Sequence, residues 1–145
     1  MNENLQQDFK IITPHFGELI IQNDQIFYFE NGMLGFEDLH NFVVISEEET
    51  APFKWLISIE KPEIGFPLLS PWLIDINYSP GDQYDIEKLV FFVVITLENE
   101  DGKMSANMKA PVILDTDNLK GEQIILPFDK YATNFIIEEK NKPLC

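Results

Sequence analysis

Few residues in this sequence have the types and spacing that chemistry requires. His15 and His40 are its two histidines, and neither lies in an H-E-x-x-H or comparable metal-binding spacing. Each reads as a structural or surface histidine. Asp115 and Asp117 begin like a calcium loop, but Leu119 and Lys120 occupy the next ligand and glycine positions, and no Glu stands at 126. Glu47 and Glu49 could work as acid and base only in an apolar pocket that raised one pKa, and their run 46–50 reads as a solvated loop. There is no G-x-S-x-G elbow or kinase signature. The single cysteine, Cys145, has no local partner to activate it. Asn77-Tyr78-Ser79 matches a glycosylation sequon by chance, with Pro80 following. No catalytic, cofactor or metal site is expected.

Residues suited to recognising another protein are easier to find. In the stretch 103–115, Met104, Ala106 and Met108 alternate with Ser105, Asn107 and Lys109, a period of two that sends apolar and polar side chains to opposite faces of a strand. Pro111 lacks an amide hydrogen and fixes its φ, so Ala110 and Pro111 should form a corner before 112–114 resume the strand. The corner can turn Asn107 and Lys109 outward. The second candidate is the loop Asn31-Gly32-Met33-Leu34-Gly35-Phe36-Glu37-Asp38. It is too short and wrongly spaced for a dinucleotide fingerprint and has no Lys-Ser/Thr for a phosphate loop, and its apolar residues either tuck inward or offer a contact. The expected partner-binding residues are thus Gly32, Leu34, Phe36, Glu37, Asn107, Lys109, Ala110 and Pro111. The same residues could serve the fold alone, with the glycines needed for backbone conformation and Pro111 for the bend.

A chain of 145 residues fits one domain, here 1–145 with a core at about 9–137 and a polar C-terminal tail. One cysteine permits no internal disulfide, which points to a reducing interior. No apolar run reaches the 18 or so residues of a membrane span, and the N-terminus does not resemble a signal peptide. A soluble, cytoplasmic protein, monomeric when free, is expected. Twenty-five acids against ten lysines give a net charge of −15, which argues against direct nucleic-acid binding, because cationic side chains supply most of that affinity. The charge favours a basic protein partner, and it also aids solubility.

The elements that must position these residues read as short strands at 9–13, 18–22, 25–30, 42–45, 55–60, 66–70, 89–97, 103–109, 112–114, 123–126 and 135–137, with a further segment at 75–78. Asn23-Asp24 is a hairpin signal, as is the Asp101-Gly102 end of the loop 98–102. Single helical turns are expected at 37–41, from 85 onward and at 128–131. The run 89–97 is the longest apolar strand and belongs at the centre of a sheet. Some ten short strands without a long helix imply an all-β fold, a compact β-barrel-like single domain. A small-ligand-binding β-barrel is the alternative reading, although twelve Phe and two Trp would more readily fill a barrel than leave it hollow.

Three segments in order, Ile-Phe-Tyr-Phe-Glu-Asn-Gly-Met-Leu-Gly-Phe-Glu (26–37), Phe-Lys-Trp-Leu-Ile-Ser-Ile-Glu-Lys-Pro-Glu-Ile-Gly-Phe (53–66) and the stretch 105–126, closely resemble the FliW flagellar assembly factors. The resemblance spans about 10–137, and Tyr131 falls where that family carries a Tyr. Met33 and Ile57 depart from the family pattern. The resemblance implies a non-enzymatic regulator with a β-barrel-like fold. Such proteins bind the translational repressor CsrA, keep it from silencing flagellin messenger RNA, and bind flagellin, so that the two partners exchange on one factor.

Overall fold

The computed structural model describes residues 8–98 and 102–137. Strand β1 (Asp8–Thr13) pairs antiparallel with β2 (Gly17–Gln22) in a separate two-stranded ribbon. Thr13 shapes its turn, since Oγ1 accepts the Phe16 amide at 2.8 Å, and Gly17 supplies the left-handed φ of 67°. Ile11 and Ile21 face inward onto Val43 and Ile57.

The rest of the chain closes a seven-stranded barrel. Strands β3 (Ile26–Phe29), β4 (Asn41–Ser46), β5 (Lys54–Ser58), β6 (Gly65–Leu69) and β7 (Val90–Thr96) follow one another as an antiparallel meander. After a two-residue β8 (Ser105–Ala106), strands β9 (Val112–Asp115) and β10 (Lys120–Gln123) form a hairpin that fills the remaining gap. β9 pairs with β7, and β10 pairs with β3 in parallel. Strand β11 (Phe135–Ile136) adds to β8 beyond the barrel.

The interior is filled. Phe29, Phe42, Leu56, Leu68 and Val112 have no solvent exposure, and Phe27, Met33 and Leu114 pack with them. Gly121 on β10 makes room for this packing, because a Cβ there would overlap the Phe29 ring and lie 2.9 Å from Leu114 Cδ2. The core is close-packed rather than hollow, as the aromatic content led us to expect. A second core lies beyond the barrel, where Val93, Ile95, Ala106, Met108, Leu126 and Ile137 surround Tyr78 and Tyr131. The Tyr78 hydroxyl donates to the Met108 carbonyl at 2.8 Å, and the Tyr131 hydroxyl accepts the Ser79 amide at 2.8 Å. Burial, and then repulsion from Tyr131, push the Tyr78 hydroxyl pKa up, so it remains a donor.

The run 89–97 is central as expected, since β7 pairs with β6, β8 and β9. Four local expectations need correction. β2 and β3 do not form a hairpin across Asn23-Asp24. A 3-10 turn (Asn23–Gln25) joins them, with Gln25 Oε1 accepting the Gln22 amide at 2.8 Å, and β3 turns away to pair with β4 and β10. The strand expected at 123–126 lies earlier, at Lys120–Gln123, because it must reach β3 through Gly121. The strand at 103–109 shrinks to Ser105–Ala106, and Ser105 is buried rather than outward. Residues 75–78 form a turn closed by the Tyr78 amide on the Asp75 carbonyl at 2.9 Å. The hairpin pairing of β7 with β8 is present, whereas residues 99–101 of its loop, and the C-terminal tail, lie outside the described residues.

Candidate functional site

The expected corner forms, and its cause lies in strand register. Ala106 sits opposite Ile95 and Val112 opposite Phe92, so six chain steps on one side face three on β7. Three extra residues must leave the ladder between β8 and β9, and they bulge at 107–111. Asn107 stabilises the excursion, its Oδ1 accepting the Ala110 amide at 3.1 Å. Lys109 reaches across to the Phe128 carbonyl at 2.9 Å and the Asp129 carboxylate at 3.3 Å. Ala110 and Pro111 are buried, because the segment 124–126 lies against them, with Ile124 N donating to Pro111 O at 3.1 Å and Leu126 N to Lys109 O at 2.8 Å. Of the four corner residues, only Asn107 and Lys109 reach the surface, both half-buried.

The loop after β3 is folded by its glycines. Gly32 is buried with φ of 66°, and a Cβ there would sit 2.5 Å from the Phe36 carbonyl oxygen. The 33–36 segment turns back on itself, with the Phe36 amide on the Met33 carbonyl at 2.7 Å and Gly35 at φ 86°, as a type II turn requires at its third position. The Glu37 carboxylate accepts the Gly35 amide at 3.0 Å. Met33 is buried in the barrel, whereas Leu34 remains 44% exposed and Phe36 37%. The Phe36 ring rests edge-on against Phe66 at 5.3 Å.

Gln123, at the end of β10, joins the two candidates. Its Oε1 accepts the Leu34 amide at 2.9 Å, and its Nε2 donates to the Ala110 carbonyl at 3.0 Å. One side-chain amide thereby clasps the loop to the corner. Two residues on, Ile125 is 60% exposed between inward-facing Ile124 and Leu126. The clasp thus ties a loop that exposes Leu34 and Phe36 to the corner, with Ile125 exposed two residues beyond Gln123. Sequence reasoning missed Gln123, which looked like the first residue of a strand, and it missed Ile125, hidden within an apolar run.

The flank of this face is anionic. Beside it opens a cleft of about 290 Å3, whose lining includes Tyr28, Glu30, Asp115, Lys120 and Glu122. Asp115 is fixed by its turn. Bonds from the Asn118 side chain and amide, assisted by the Asp117 amide, hold its carboxyl pKa below the ordinary value against a small opposing effect of burial. Among the described residues no three His, Cys, Asp or Glu side chains gather as a metal site, and no helix is long and apolar enough to cross a membrane. His40 Nδ1 lies 2.9 Å from the Phe29 carbonyl oxygen beneath the Tyr28 ring, and His15 lies beside Trp55.

Exposed apolar side chains beside a fixed polar clasp are suited to protein docking. Residues 10–137 match the family model described as FliW protein. The chain is similar to the flagellar assembly factor FliW of Caldanaerobacter subterraneus subsp. tengcongensis, at 38% identity over 90% of this chain and 93% of that one. The factor from Thermoanaerobacter pseudethanolicus is also 38% identical, over 92% and 95%. That from Thermotoga maritima is 36% identical, over 90% and 94%. A crystal structure of the flagellar assembly factor FliW superposes with a TM-score of 0.79 at 28% identity, over 91% of this chain and 99% of that one.

Proposed function

The chain belongs to the FliW family, and from that premise we propose that it is a non-enzymatic flagellar assembly factor. It binds the translational repressor CsrA in the cytoplasm and relieves repression of flagellin translation. It also binds flagellin, and the two partners displace each other. The Gln123 clasp supports this reading best, since it fastens to the 107–111 corner the loop that exposes Leu34 and Phe36, on an acidic body. Preorganised apolar contacts limit the ordering cost of association. The net charge of −15 acts on RNA indirectly. An acidic protein docked beside an RNA-binding surface repels phosphate without covering the RNA site, an effect that falls off over roughly 8 Å at physiological salt.

A calorimetric titration with purified CsrA from the same organism, repeated with flagellin already bound, tests the reading. Submicromolar binding that flagellin abolishes is expected. Binding to flagellin alone would remove the translational role, and binding to neither would overturn the proposal.

A further inference from the structure

Trp55, on β5, takes no part in the Gln123 clasp, yet it builds a second feature on the outside of the meander. Because Leu56 points into the barrel, Trp55 points out, and the tip of the β1–β2 ribbon lies over it. Phe16 meets the indole edge-on at 5.7 Å, and His15 lies tilted at 6.5 Å. The Trp55 Nε1–H donates to Thr50 Oγ1 at 3.0 Å, which fixes the ring. Two cavities, of about 450 Å3 and 150 Å3, open against these three rings. Glu47 and Glu49 line the larger and Glu63 the smaller.

The lining is selective in charge. No lysine or arginine borders either cavity, and among the described residues neither Glu47 nor Glu49 has an ion-pair partner. Aromatic faces and uncompensated carboxylates together favour a cation, most strongly over Trp. A planar guanidinium suits them better than an ammonium, since it stacks on rings and bonds carboxylates in a fork. The chain itself contains no arginine, so a second copy cannot supply one.

We propose that the Trp55 cavities form a receptor for an arginine side chain presented by a basic segment of a protein partner. The site does not depend on the Gln123 face, and the two can fail separately.

The test uses the full chain carrying Trp72→Phe, which leaves Trp55 as the only indole. Its fluorescence is followed while acetyl-Gly-Arg-Gly-Arg amide is added, with the citrulline analogue as the uncharged control. A saturable change with the arginine peptide alone is expected, weakened about fivefold or more by Glu47→Gln with Glu49→Gln as the carboxylate contacts are lost, and unaltered by Gln123→Ala. Equal binding of the citrulline peptide, no saturable change, or indifference to the double Gln variant would overturn the proposal. Should Trp72→Phe not fold, the indole N–H resonances of the unsubstituted chain give the same readout, with the Trp55 signal assigned by its shift in Thr50→Val.

Discussion

Gln123→Ala removes the clasp without touching either core. Two hydrogen bonds are lost, to the amide of exposed Leu34 and the carbonyl of buried Ala110. A typical bond contributes about 1 kcal/mol net, and water can replace the partner at Leu34, so the loss should be about 1–1.5 kcal/mol. For a domain of this size that lowers Tm by about 3–5 °C. The 33–36 turn keeps its own backbone bonds, and only its tether to the corner is released. Fixing one residue again on binding costs about 1–2 kcal/mol, or roughly tenfold in affinity for a partner seated on this face, which is CsrA in the function proposed above. Gln123→Glu is the informative companion, because it retains an acceptor for Leu34 but sets a carboxylate against the Ala110 carbonyl. It should lose at least as much stability. Thermal unfolding, calorimetry with CsrA, and hydrogen exchange at the Leu34 amide read the three consequences. Unchanged Tm, affinity and exchange in Gln123→Ala would refute the clasp as an organising contact.

Gly121→Ala should destabilise the barrel by about 1–3 kcal/mol through overpacking, measured by urea unfolding, with partial recovery when Phe29→Leu is added, since Phe29 is what the new methyl meets. Glu60 ties the start of β4 to the end of β5. Burial raises its pKa, but bonds from the Asn41 amide and side chain and the His40 amide outweigh burial and leave it below the ordinary 4.5. A lowered folded-state pKa gives stability that is present above the unfolded value and lost as pH falls through the folded one. Glu60→Gln should therefore flatten the acid limb of stability below about pH 4.5. The effect should stay under about 1 kcal/mol for so exposed a group.

Most strands of the meander were legible because they carry apolar runs rich in β-branched or aromatic residues, bounded by Pro, Gly or acidic turns, although β6 has Pro67 within it. Pro111 announced a corner correctly. What the sequence withheld was register. Nothing local to 103–115 reveals that it faces β7 with three residues to spare, which is why a strand was expected where a bulge stands and Ser105 turns inward. The Asn23-Asp24 error has the same root, since a local hairpin signal yielded to long-range pairing of β3 with β4 and β10. Both halves of the candidate face were visible as Gly-rich and Pro-containing interruptions. Gln123 was not, because a bridging amide is defined only by what the fold brings to its two ends, 89 and 13 residues away.

The β9–β10 hairpin closes the barrel between strands that the meander leaves as its two ends. If it lifts, β3 and β7 become open edges with unpaired amides, a template for self-association. The same hairpin begins at the corner and ends at Gln123, so a partner seated on that face also fastens the closing element in place. By mass action such a partner protects the chain from aggregation while it is bound. Amide exchange along 112–123 should then slow in proportion to occupancy, which makes barrel closure itself a gauge of how much of the factor is engaged.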